Sequence, residues 1–228
     1  MKDVDEFISE TKSTHQSFSV RMHRMGISVP IGVFSLRYSH IFLPSVKKYG
    51  GILFAPRKEI FMDQKDIKRV EEVEARIGYE FRNKHLLLQA LTRKAYSNEH
   101  PECPHNEVME HFGDSTVGWV VKRGLRLKYT HNERGYLISL LNEGELTAKA
   151  IEYVSNRTLA RHTVRMKLME FAYWGNGEIK QDCAEQEKAQ ADLFEAIAYA
   201  VELDCDEDTE TVMRVVLCMM GFSHWSEM

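Results

Sequence analysis

The spacing of apolar residues changes near residue 64. Before that point β-type residues gather in SFSVRM and ISVPIGVFSLRYSHIF, interrupted by Pro30, Gly32 and Pro44, which predicts a small mixed α/β, strand-bearing segment over residues 1–65. Beyond it, Ile67, Val70, Val73 and Ile77 recur at three- and four-residue steps in a charged background, the pattern of an amphipathic helix. Gly78 stops that run, and a second, Leu-rich helix is predicted over 84–92. Residues 98–106 hold two prolines, a cysteine and several acid or amide groups, and read as a loop.

A long helix is predicted from residue 107 to about 128, where HNERG breaks it. Met109, Phe112, Val117, Val120 and Val121 form its expected buried stripe. Further helices are expected over 136–142, 145–160, 184–201 and 207–220, with a turn at 175–177. Strand-type alternation is nearly absent after residue 67, so residues 66–228 are expected to form a mainly α, helical bundle carrying the 1–65 segment as an appendage.

A chain of 228 residues has room for one main domain and such an appendage. No stretch approaches the roughly 20 apolar residues of a membrane span. The N-terminus, MKDVDEFISETK, has no apolar segment of the kind a secretory signal needs, so a cytoplasmic or nuclear location is expected. The cysteines at 103, 183, 205 and 218 form no CxxC pair and are read as reduced thiols, and HPECPH at 100–105 has no second half with zinc-ligand spacing. The net charge of −4 hides an asymmetry: residues 1–70 carry 12 Lys and Arg against 7 Asp and Glu, and the remainder is acidic. Charge alone therefore announces no nucleic-acid partner, and a function must be argued from a site.

The most informative stretch is NEVMEHFGDS, residues 106–115. On a helix Glu107, Glu110 and Asp114 stand at i, i+3 and i+7 and share one face. A second motif, ADLFEA, sets Asp192 and Glu195 at i and i+3 among Leu193, Phe194, Ile197 and Ala198. Taken alone, acids at such spacing usually mark a solvated helix face. Three features argue otherwise. No base follows the first acids at i+4 to make helix ion pairs. The second pair sits in a strongly apolar helix, where charge is expensive. Gly113, inside the first motif, costs about 1 kcal/mol of helix propensity and points to close approach of another backbone. Two carboxylates about 5 Å apart repel by roughly 3 kcal/mol at an effective dielectric near 20, a cost that a divalent cation removes. An all-oxygen donor set favours Mg²⁺, with Mn²⁺ as a substitute.

NEVMEHFGDS resembles the signature segment of ribonuclease III domains. Three further segments resemble that family in the same order: RIGYEFRNKHLLLQALT at 76–92, ERGYLISLL from Glu133 with SNRTLA from Ser155, and KAQADLFEAIAYAVELD at 188–204. The resemblance covers residues 68–222 or so. It implies a ribonuclease III-type helical endonuclease domain in which Glu110, Asp114, Asp192 and Glu195 hold catalytic Mg²⁺, with Asp114 and Glu195 as the active-site pair. Glu107 and Glu133 match accessory acids near the cleavage site, and Lys188 matches a lysine near the scissile phosphate. The implied reaction is two-metal-ion hydrolysis of double-stranded RNA by a homodimer. It leaves 5′-phosphate and 3′-hydroxyl ends with short 3′ overhangs.

The chain also departs from that family. His111 stands where an aromatic residue packs into the partner subunit, and a partly buried structural role is expected for it. Tyr199 replaces a usual glycine, Arg93-Lys94-Ala95 replaces a familiar His and Ser, and the region between Gly135 and Asn156 is longer than the compact bacterial form. These features suggest a divergent member, eukaryotic or viral. After Asp204 only 24 residues remain, too few for a double-stranded RNA-binding domain of the usual size. RNA is then gripped by the catalytic domain, by the basic N-terminal segment or by an RNA-binding partner protein, through A-form shape and phosphates. The alternative is a non-catalytic ribonuclease III-like structural or RNA-binding subunit of a processing or ribosomal complex. Such subunits lack some of the metal-binding acids, and here all are present.

Overall fold

The structure is a computed structural model and describes residues 62–228, so residues 1–61 of the expected strand-bearing segment lie outside the described residues, and its last two residues open the first helix. Helix α1 (Gln64–Ile77) starts where Asp63 accepts the backbone N–H groups of Lys65 and Asp66 at 2.8 Å, and ends where the Gly78 N–H returns to the Glu74 carbonyl. Val70, Val73 and Ile77 form its buried face, as their spacing predicts. Helices α2 (Lys84–Leu91) and α3 (Lys94–Glu99) follow, then the 23-residue α4 (Glu107–Tyr129). No described helix is long and apolar enough to cross a membrane.

Residues 130–139 correct one expectation. Instead of a helix over 136–142 they form an antiparallel hairpin, β1 (Thr130–Glu133) paired with β2 (Tyr136–Ser139), in register from Thr130 opposite Ser139 to Glu133 opposite Tyr136. The turn residues Arg134 and Gly135 both have positive φ, 50° and 86°, the handedness that lets two residues close a twisted hairpin. Asn132 Oδ1 braces the turn by accepting the Gly135 N–H at 3.1 Å.

The helix expected over 145–160 is two helices, α5 (Glu143–Val154) and α6 (Asn156–Arg165). Ser155 is extended, with ψ at 143°, so the helical hydrogen-bond ladder cannot pass through it. A reciprocal cap between Asn142 and Glu145 starts α5. Then come α7 (Asn176–Lys180), α8 (Glu187–Asp204) and α9 (Thr209–Met220), with short 3₁₀ turns at Leu168–Phe171, Cys183–Glu185 and Trp225–Glu227.

Helix α8 is the axis of the bundle and packs against α2, α4, α6 and α9. Its Leu193, Phe194, Ala196, Ile197, Ala198, Ala200 and Val201 are all buried, which is why its sequence is apolar on nearly every side. On α4, Met109, Val117, Val120 and Val121 are buried as expected, but Phe112 is 47% exposed. Its ring stacks on Tyr199 with centroids 5.3 Å apart, and His111, exposed in the single chain, meets the edge of Phe112. The four cysteines are unpaired thiols.

Candidate metal centre

Helices α4 and α8 approach backbone to backbone at Gly113. A Cβ added to Gly113 would fall on the carbonyl group of Glu195, so only glycine permits this approach. Glu110 lies one turn before Gly113 on α4, and Asp192 lies one turn before Glu195 on α8. The close crossing therefore points carboxylates from two helices at each other. Oxygens of Glu110, Asp192 and Glu195 all lie within 4.8 Å of one another.

Four acids are buried among the described residues, and their partners separate them. Glu74 accepts the Phe81 N–H at 2.8 Å and the Lys84 ammonium at 2.9 Å. Asp204 accepts Asn83 N–H, Arg82 N–H and the Tyr79 hydroxyl at 2.7 to 2.8 Å. Both are structural: they tie the 79–84 turn to α1 and to the end of α8. Asp192 meets Lys188 Nζ at 2.8 Å and Arg93 Nη1 at 3.4 Å. Glu195 is 9% exposed and has no hydrogen bond or ion pair among the described residues. Burial, then the charges of Asp114, Asp192 and Glu110, push its carboxyl up to about 8, against a weaker opposing pull from Lys188. Glu110 is also raised, by burial first and then by Asp192, although Lys188 Nζ stands 3.3 Å from it.

A hard divalent cation fits this arrangement. The converging donors are all carboxylate oxygens, and the one without a partner is the most reluctant to ionise alone. The remaining residues singled out in the sequence are placed as follows. Asp114 is exposed beside the three and acts on Glu195 through its charge, but it is outside the converging group. It opens onto a hollow of about 690 Å³ between α4 and α5, lined also by Trp119, Lys122, Arg123, Arg126 and Val154. Glu107 is turned to Lys94, 2.9 Å away, and half exposed. Lys188 bridges Glu110 and Asp192 at the cluster itself. Glu133 is not brought to this cluster within one chain. It sits on β1 past the far end of α4, about 30 Å along the helix by its rise, and faces His131. Sequence reasoning missed Arg93 and Glu178, which join at 3.2 Å behind Asp192. They lie 99 and 14 residues from Asp192, and the only hint was the unusual Arg-Lys-Ala after the second helix.

The Ribonuclease-III-like family profile matches residues 83–219, more than half of the chain and the whole of both acid-bearing helices. The chain belongs to the ribonuclease-III-like family. It is 38% identical over 148 residues to Ribonuclease 3 of Treponema succinifaciens, and 34% identical over 174 residues to Ribonuclease 3 of Roseburia hominis. Those alignments take in 65% and 70% of this chain but only 40% and 48% of the relatives, so the chain spans less than half the length of either. Both relatives are bacterial and lend no support to a eukaryotic or viral origin. The nuclease domain of ribonuclease III from Campylobacter jejuni superposes with a TM-score of 0.57 at 25% identity, covering 67% of this chain and 94% of that one. A second structure of that domain, described as flexible in a region involved in dimer formation, gives 0.56 at 24%. Both acid-bearing helices, α4 and α8, lie within the residues that the family profile matches.

Proposed function

We propose that this chain is a metal-dependent endoribonuclease that hydrolyses double-stranded RNA as a homodimer. The observation that carries the reading is Glu195: a buried carboxylate, without a partner among the described residues, that meets Asp192 from its own helix and Glu110 from across the helix crossing. Glu110, Asp192 and Glu195, with Asp114 beside them, would hold Mg²⁺, for which Mn²⁺ substitutes. When bound, a pair of such ions supplies an activated water and stabilises the leaving oxygen of a phosphodiester. The chain's own residues bind and orient. Lys188 carries an exposed ammonium at the edge of the acids, where it meets the charge of an approaching phosphate. Lys122, Arg123 and Arg126 line the hollow next to Asp114 and have no ion-pair partner among the described residues, which suits contact with an RNA backbone. The ends produced are 5′-phosphate and 3′-hydroxyl, with short 3′ overhangs from paired sites.

The test is incubation of the purified chain with long duplex RNA and Mg²⁺. Wild type cuts, and Glu195→Gln and Asp114→Asn reduce cutting by at least about a thousandfold while duplex binding persists. Binding without cutting by wild type would favour a non-catalytic RNA-binding subunit, and equal cutting by all three proteins would refute the site.

A further inference from the structure

Asp192 divides its two oxygens between two cations of different character. Oδ1 accepts from Lys188 Nζ at 2.8 Å, and Oδ2 accepts from Arg93 Nη1 at 3.4 Å. Lys188 is 69% exposed on a flexible stem. Arg93 is 17% exposed and held at several points. Its Nε donates to Glu178 Oε1 at 3.2 Å, its guanidinium lies 5.5 Å from the Trp174 ring centre, and its backbone N–H donates to the Tyr173 carbonyl at 3.2 Å. Glu178 is itself held, since its other oxygen accepts the Gly175 N–H at 3.3 Å. The platform beneath is tight: a Cβ on Gly175 would collide with Ala95, and Asn176 is fastened to Glu99 through both its backbone and its side-chain nitrogen.

We propose that Arg93 is a positioning residue that fixes the Asp192 carboxylate from its outer side, so that the other oxygen faces a divalent cation bound with Glu110 and Glu195. The inference rests on the metal-centre reading above. An exposed ammonium yields its place to a divalent cation at little cost, whereas a guanidinium anchored by Glu178 and Trp174 does not. Its planar fork serves Glu178 and Asp192 together, which the point charge of a lysine cannot do. Partners of this kind, behind a ligating carboxylate, set its orientation and with it the affinity of the site.

The test is calorimetric titration of Mn²⁺ into the full chain and into Arg93→Gln, Arg93→Lys, Glu178→Gln and the Arg93→Gln/Glu178→Gln pair, with folding followed by circular dichroism. Arg93→Gln weakens Mn²⁺ binding by roughly ten- to a hundredfold. Arg93→Lys, the milder change should Arg93→Gln not fold, weakens it by less. The double variant equals Arg93→Gln alone, because Glu178 acts through Arg93. In cleavage assays kcat falls while KM for duplex RNA changes little. A mere field effect gives the opposite sign: loss of a cation would tighten Mn²⁺ binding. Equal or tighter binding by Arg93→Gln, or wild-type affinity in Arg93→Lys, overturns the proposal. Failure of the wild-type chain to bind Mn²⁺ overturns the metal centre along with it.

Discussion

Glu195 has an ionisation cost that its burial and three neighbouring acids impose together. Its folded carboxyl lies near 8, above the 4.5 of an exposed glutamate. A raised value means that the folded state holds the proton more tightly. The associated stability is therefore complete below about pH 4.5 and is lost as pH climbs through about 8. In EDTA the melting temperature of the wild type should accordingly fall across that window, while Glu195→Gln, which cannot ionise, should lack this part of the slope. The variant should match wild type near pH 5 and exceed it by roughly 5 °C near pH 9, an effect of about 2 kcal/mol after discounting for solvent screening. Added Mg²⁺ reverses the order by stabilising only the wild type. A difference between the two proteins that is the same at pH 5 and pH 9 would remove the desolvated carboxylate from the explanation. The acids themselves were legible in the sequence, because helical spacing alone puts Glu110 and Asp114 on one face and an apolar context marks Asp192 and Glu195 as costly. Arg93 was not legible, since what makes it important is a contact across 99 residues.

At the scale of elements, the site exists because α4 and α8 approach closely at Gly113. Replacing Gly113 by Ala adds helix propensity, worth about 1 kcal/mol, but drives a methyl group into the Glu195 carbonyl. Backbone cannot step aside as a side chain can, so the overpacking wins and the net loss should be about 2 kcal/mol. Gly118, on the same helix, is the control: nothing lies within 4 Å of a Cβ added there. Gly118→Ala should gain up to about 1 kcal/mol. Urea unfolding of both variants tests the pair, and a stabilised Gly113→Ala would mean that the crossing is looser than described. The glycine inside the motif signalled this contact before any coordinates did. The hairpin gave no such signal. YLISLL is too short to distinguish strand from helix by period, and the decisive information lay in the backbone of Arg134 and Gly135, which sequence patterning does not encode. Phe112 was misassigned for a related reason: its spacing fits the apolar stripe, and only the stack on Tyr199 reveals that it lies at the edge of the core.

At the scale of the whole molecule, large apolar groups are left uncovered on the hairpin among the described residues. All four residues of β2 are exposed, and Tyr136, Leu137 and Leu140 are each at least two-thirds exposed. A hairpin that turns large apolar side chains outward is costly in water unless a partner surface receives them. Within one chain Glu133 also has no role at the acids, a second reason to look for an assembly in which the hairpin meets something else. The prediction is that Leu137→Asp with Leu140→Asp converts a dimer to a monomer in sedimentation. Folding stability should change by no more than about 0.5 kcal/mol, because neither residue contributes to the core. Mn²⁺ binding should survive in the monomer, since Glu110, Asp192 and Glu195 come from one chain. Double-strand cutting should not survive, because two sites must act on opposite strands. A monomeric variant that still cuts both strands at a fixed stagger would detach catalysis from assembly. A wild type that sediments as a monomer at all concentrations would leave the exposed hairpin to a different partner.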